Sequence, residues 1–145
     1  MAAKRTAHAV WENDLLHGHG TVGGQTGAFR DLATSWSART EAPAGKTSPE
    51  ELLAAAHAAC LSMALSATLG RMQKTPQRIA VEATATFDKI GDGFKVTTME
   101  LAVTGKVPGL TAEEFQTAVG HAAAGCPISG ALKGNVAVSV TSRLE

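Results

Sequence analysis

The hydrophobic positions along this chain change period several times, and each change marks an element. Ile79, Val81, Ala83, Ala85 and Phe87 alternate with Ala80, Glu82, Thr84, Thr86 and Asp88, the two-residue period of a strand with one covered face. Gly91-Asp92-Gly93 then turns the chain back. Phe94 and Val96 begin a return strand, and Met99, Leu101, Val103 and Val107 continue it in the opposite phase. The pattern predicts one long hairpin with a bulge near Thr97 and Thr98. Near the start, His8 to Trp11 reads as a short strand, and the glycine-rich stretch from Asn13 to Gly27 as turns joining brief strands. Leu32 to Thr40 sets Leu32, Thr34, Trp36 and Ala38 on one face, which predicts a further strand. Val136, Val138 and Val140 alternate as a last strand.

Between these lie helical signals. Ser48-Pro49-Glu50-Glu51 supplies an N-cap, a proline at the first helical position and a glutamate placed to close a capping box. The helix is expected to run to about Met72, with Pro76 as its latest end. Its centre, Leu52 to Leu69, carries no formal charge over 18 residues. That nears the length of a bilayer span, about 20 residues. Seven of the 18 are alanine, and His57, Ser62, Ser66 and Thr68 interrupt the run, so a buried central helix is the better reading. Thr111 and Glu114 form a second capping box, opening a helix with Phe115, Ala118, Val119 and Ala122 on one stripe and Gly125 as its stop. Cys126-Pro127 starts a short helix to about Leu132. With strands in antiparallel groups rather than βαβ units, the expected class is α+β.

Composition narrows the picture. A chain of 145 residues and 14.9 kDa suits a single domain, residues 1–145. Thirteen basic and thirteen acidic residues leave no net charge, so neither nucleic acid nor an anionic membrane is an expected partner. Aromatics at 4% leave a core of small aliphatic side chains. Met1 to Trp11 lacks the apolar run of a secretory signal. Two cysteines 66 residues apart form neither a zinc-binding spacing nor a disulfide framework. The expectations are a cytoplasmic location, no metal and no bound cofactor.

Glu50, Leu53, His57 and Cys60 share a stripe on the long helix. Glu51 occupies the capping-box position, leaving Glu50 to meet a cation or simply to favour the helix start. Cys60 reads either as a small core filler or as a thiol whose pKa is raised among apolar neighbours unless a cation reaches it. His57 reads as a base for Cys60 or as a satisfied helix histidine. Cys126, at a helix start, is the more acidic sulfur on this reasoning. Arg39 is the nearest cation by sequence, or else a solvated strand arginine.

At these residues the sequence resembles the OsmC/Ohr family of thiol-dependent hydroperoxide reductases, through TSPEELLAAAHAACLSMAL, Thr47 to Leu65, and AGCPISGAL, Ala124 to Leu132. The resemblance implies an intertwined homodimer in which antiparallel sheets wrap two long central helices, with active sites at the subunit boundary. It also implies a peroxidase acting in oxidative and osmotic stress, reducing organic hydroperoxides, and less efficiently hydrogen peroxide, to alcohols. Cys60 would be the peroxidatic thiolate, Cys126 the resolving thiol, Arg39 the activating cation and Glu50 the carboxylate that holds it. This reverses the order of attack that helix position alone suggests. The Ohr branch takes its arginine from an early loop, but no lysine or arginine lies between Glu12 and Phe29. Arg39 matches the OsmC branch, with Arg30 in reserve. An external dithiol, which in the family can be a lipoyl group, would reduce the Cys60–Cys126 disulfide. Two rival readings remain: a Cys60/His57 acyl-transfer enzyme, and a non-catalytic dimer that senses redox state or binds a small ligand.

Overall fold

The structure, a computed structural model, describes residues 1–145. Helices and strands combine as an α+β chain with two three-stranded sheets. By its contacts the chain divides into two compact units, Met1–Leu52 and Leu53–Glu145.

In the first unit, β1 (Ala7–Glu12), β2 (His19–Gly24) and β3 (Leu32–Thr34) form an antiparallel sheet in that order. The strand expected over Leu32 to Thr40 stops at Thr34, and α1 (Trp36–Thr40) follows. The cause is Ser35. Its backbone is extended, and its hydroxyl accepts the Ala38 amide at 3.2 Å, giving a helix start the partner that a strand would not. Arg39 therefore sits in the last turn of a short helix rather than on a strand. The helix α2 (Pro49–Arg71) opens where expected. The Ser48 hydroxyl accepts the Glu51 amide at 3.1 Å, while the Glu51 carboxylate takes the Thr47 hydroxyl, so only half of the expected capping box is made.

In the second unit, β4 (Arg78–Ile90) and β5 (Gly93–Lys106) form the expected hairpin. Thr86 pairs with Thr98 and Phe87 with Val96, leaving Thr97 as the extra residue of a bulge at the expected place. Helix α3 (Ala112–Gly125) carries the full Thr111/Glu114 capping box and buries Phe115, Ala118, Val119 and Ala122. Helix α4 (Pro127–Leu132) leads to β6 (Ala137–Leu144). The expectation of purely antiparallel sheets fails at this strand, because β6 pairs parallel to β5. A parallel pairing needs a crossover of a dozen residues or more, and α3 with α4 supplies it. Leu61, Leu65 and Leu69 of α2 are fully buried with Met99, Leu101, Val103 and Phe115 in one core. Gly105 lets Phe115 lie on β5, since a Cβ there would fall 2.3 Å from the ring. By length and composition α2 is apolar enough to cross a membrane. Leu61, Leu65 and Leu69 are nonetheless core residues of this unit.

Candidate active site

Two helix positions bring the cysteines together. Cys60 lies in the middle of α2, and Cys126 ends α3 while serving as N-cap of α4, with Pro127 at that helix's first position. Their sulfurs are 3.1 Å apart and both are free thiols. Cys126 is buried, 2% exposed. Cys60 is half-buried and lines a cleft of about 360 Å³ with Met63, Ala67, Arg71 and His121, so a small molecule meets Cys60 first. Burial pushes the Cys60 thiol up, with the Cys126 thiol adding to the rise and the Ile128 amide opposing it. At Cys126 burial also pushes up, but the Ser129 and Ile128 amides, the Cys60 thiol and the Ser129 hydroxyl outweigh it, and the net direction is down. The helix start thus makes Cys126 the more acidic sulfur, as its position predicts.

Within the first unit, Arg39 and Glu50 form a second pair. Arg39 Nε donates to Glu50 Oε1 at 2.9 Å and to Oε2 at 3.1 Å, and Nη2 donates to Oε1 at 2.7 Å. Glu50 is only 7% exposed. A carboxylate this buried costs several kcal/mol to desolvate, so a guanidinium fork is what lets it stay there. The Arg39 guanidinium also lies 6.0 Å from the centre of the Trp36 ring. Arg39 borders an apolar cavity of about 350 Å³ whose walls include Trp11, Leu15, Val22, Trp36 and Leu52. Arg30, the reserve candidate, instead donates to the Gly27 carbonyl at 3.3 Å.

His57 does not serve Cys60. Its ring is wholly buried, Nε2 lies 2.8 Å from Ser129 Oγ, and Nδ1 meets no hydrogen-bond partner. Burial lowers its pKa and keeps the ring neutral. The Cys60/His57 acyl-transfer reading therefore loses its base. Sequence reasoning also missed Ser129, although it stands three residues after Cys126 as His57 stands three before Cys60. The residues lining the apolar cavity left no signal in sequence, because three strands, the loops between them and the helices α1 and α2 contribute them.

Against known families, residues 42–141 match the model of the OsmC-like proteins. The chain belongs to the OsmC family. The OsmC match contains Glu50, Cys60 and Cys126 and begins just after Arg39. The chain is 40% identical over 136 residues to peroxiredoxin OsmC of Escherichia coli strain K12, covering 94% of each. It is 35% identical over 96 residues to the organic hydroperoxide resistance protein of Xanthomonas axonopodis pv. citri, 66% of each. Among solved structures it resembles the organic hydroperoxide resistance protein OhrB of Bacillus subtilis, with a TM-score of 0.71 at 27% identity over 95% of this chain and 98% of that one.

Proposed function

We propose that this OsmC-family chain is a cysteine-based peroxidase that reduces organic hydroperoxides to alcohols. The observation that carries this reading is the pair of free sulfurs 3.1 Å apart, one reachable from a cleft and the other shielded. Relatives named peroxiredoxin OsmC and organic hydroperoxide resistance protein support it. In the proposed cycle the Cys60 thiolate attacks the outer peroxide oxygen. The O–O bond breaks, an alcohol leaves after taking up a proton, and Cys60 becomes a sulfenic acid. Cys126 then attacks the Cys60 sulfur, closing a disulfide and releasing water. An external dithiol, for which a lipoyl group is the proposed form, reduces that disulfide by exchange.

Half-buried and with its pKa pushed up, Cys60 needs a cation to persist as a thiolate, and Arg39 held by Glu50 is the proposed source. Organic hydroperoxides are the proposed substrates in preference to hydrogen peroxide. The working unit is proposed to be a cytoplasmic homodimer with sites at the subunit boundary. Intact mass after one equivalent of cumene hydroperoxide tests the cycle. Wild type should lose two hydrogens per chain, Cys126→Ser should gain one oxygen, and Cys60→Ser should stay unchanged. A Cys60→Ser chain that still consumes hydroperoxide at the wild-type rate refutes the assignment.

A further inference from the structure

The proposed cycle leaves one polar pair, buried His57 and half-buried Ser129, without a task. His57 and Cys60 stand one turn apart on α2, and Cys126 and Ser129 stand one turn apart at the start of α4. Two rungs join them: Cys60 Sγ to Cys126 Sγ at 3.1 Å, and His57 Nε2 to Ser129 Oγ at 2.8 Å. A 23-residue helix gives α2 a firm frame, whereas α4 has six residues, buries none of them and has no side-chain cap hydrogen bond. Ile128 and Leu132 pack against the core only partly buried, so a directional contact is what fixes the register of the first turn on α2. The His57–Ser129 rung is the hydrogen bond available for that task.

The ring's surroundings also fix the direction of the bond. Nδ1 is buried with no partner, and an N–H pointed there would be an orphaned donor, which folded proteins tolerate less well than an unpaired acceptor. The proton of the neutral ring therefore belongs on Nε2, which donates to Ser129 Oγ. Ser129 stands in the first turn of α4, three residues after Cys126, so a bond that holds Ser129 on α2 also holds the turn that carries this sulfur. The Ser129 hydroxyl is among the groups that draw the Cys126 pKa down.

We propose that His57 and Ser129 form a positioning relay for disulfide closure, His57 acting through Ser129 to keep the Cys126 sulfur aimed at Cys60. Neither residue touches the hydroperoxide. In the step they serve, the Cys126 thiolate attacks the sulfenic sulfur of Cys60; the S–S bond forms and the S–O bond breaks. The departing hydroxide takes up the proton that Cys126 gave away and leaves as water. The only oxidant required is the hydroperoxide that made the sulfenic acid.

This inference rests on Cys126 as the resolving thiol, and the test separates the two ideas. Full-length wild type, His57→Gln, His57→Leu, Ser129→Ala and the His57→Leu/Ser129→Ala double variant are mixed with one equivalent of cumene hydroperoxide. Samples are acid-quenched over time, and intact mass gives the ratio of the one-oxygen form to the disulfide form. Ser129→Ala and His57→Leu should close about tenfold more slowly than they form sulfenic acid, relative to wild type, the scale of one lost hydrogen bond. Glutamine carries an amide N–H at the position of Nε2, so His57→Gln should restore most of the rate. The double variant should be no slower than Ser129→Ala, because one relay can be broken only once. Closure at the wild-type rate in Ser129→Ala, or His57→Gln as slow as His57→Leu, overturns the relay. If wild type itself takes no oxygen from hydroperoxide, the peroxidase reading falls. The relay is then read with diamide, which joins two thiols without peroxide and should rank the variants in the same order; equal rates there overturn it.

Discussion

The Arg39–Glu50 pair shows how much one side chain can depend on another. With Glu50 7% exposed, removing the guanidinium leaves a buried charge with its fork of donors gone, at a cost on the order of 3 kcal/mol. Removing both residues leaves no stranded charge. Urea denaturation should therefore show Arg39→Ala losing more stability than the Arg39→Ala/Glu50→Ala double variant, a coupling that an exposed pair would lack. Hydroperoxide turnover should fall about 100-fold or more in either, because both lack the cation. His57 makes a second prediction through pH. Burial lowers its pKa, so the folded chain resists a proton that the unfolded chain accepts near the ordinary value of about 6.5. The unfolded state binds more protons as pH falls below that value, so the stability contributed by neutral His57 is complete above it and lost as pH falls toward the lowered value. The urea midpoint should drop between about pH 7 and about pH 5 in wild type and drop less in His57→Gln; equal drops would place the source elsewhere. Two motifs single out Cys60, Cys126 and Glu50 as candidates, and charge logic with the OsmC-branch pattern singles out Arg39. Ser129 could not be singled out, since a serine inside a motif gives no sign that its partner lies 72 residues away.

Helix α1 is the element on which sequence reading and structure part. Its five residues alternate as a strand would, and a helix of little more than one turn is too short to display its own period. What decides the outcome is a local hydrogen bond, Ser35 Oγ to the Ala38 amide, and such a bond competes with strand pairing at this residue type. The parallel placing of β6 escaped for a different reason: alternation reveals a covered face but not strand direction. By contrast the long hairpin, its bulge at Thr97 and the capping box of α3 were legible, because each is written in adjacent residues. The α1 cap leads to a prediction. Ser35→Ala should cost about 1 kcal/mol in urea denaturation, and, with the platform of Arg39 loosened, kcat/KM for cumene hydroperoxide should fall as well. A stability loss with unchanged kcat/KM would mean that the Arg39 guanidinium is held without help from the α1 cap.

At the scale of the whole molecule, α2 is covered on one side only. Leu61, Leu65 and Leu69 enter the core of the second unit, while Ala55, Ala56, Ala59, Met63 and Ala67 face outward. Met63 is 66% exposed, and an apolar helix face left in water forgoes about 25 cal/mol for each Å² that a partner would cover. Small side chains let two helix backbones approach closely, and a second copy of α2 would present the same alanines to the first, as a two-fold contact requires. The homodimer is therefore expected to have its centre on this face. Sedimentation equilibrium should give twice 14.9 kDa for the wild-type chain. Ala59→Glu places a charge at the middle of the alanine stripe without touching a core leucine, and should return the mass to that of one chain. If peroxide turnover survives in a monomeric Ala59→Glu chain, one copy carries a complete site and the subunit boundary has no part in the chemistry. If turnover disappears while Cys60 and Cys126 still close under diamide, the sulfur pair belongs to each chain alone and only the activation of Cys60 depends on the pairing of two copies.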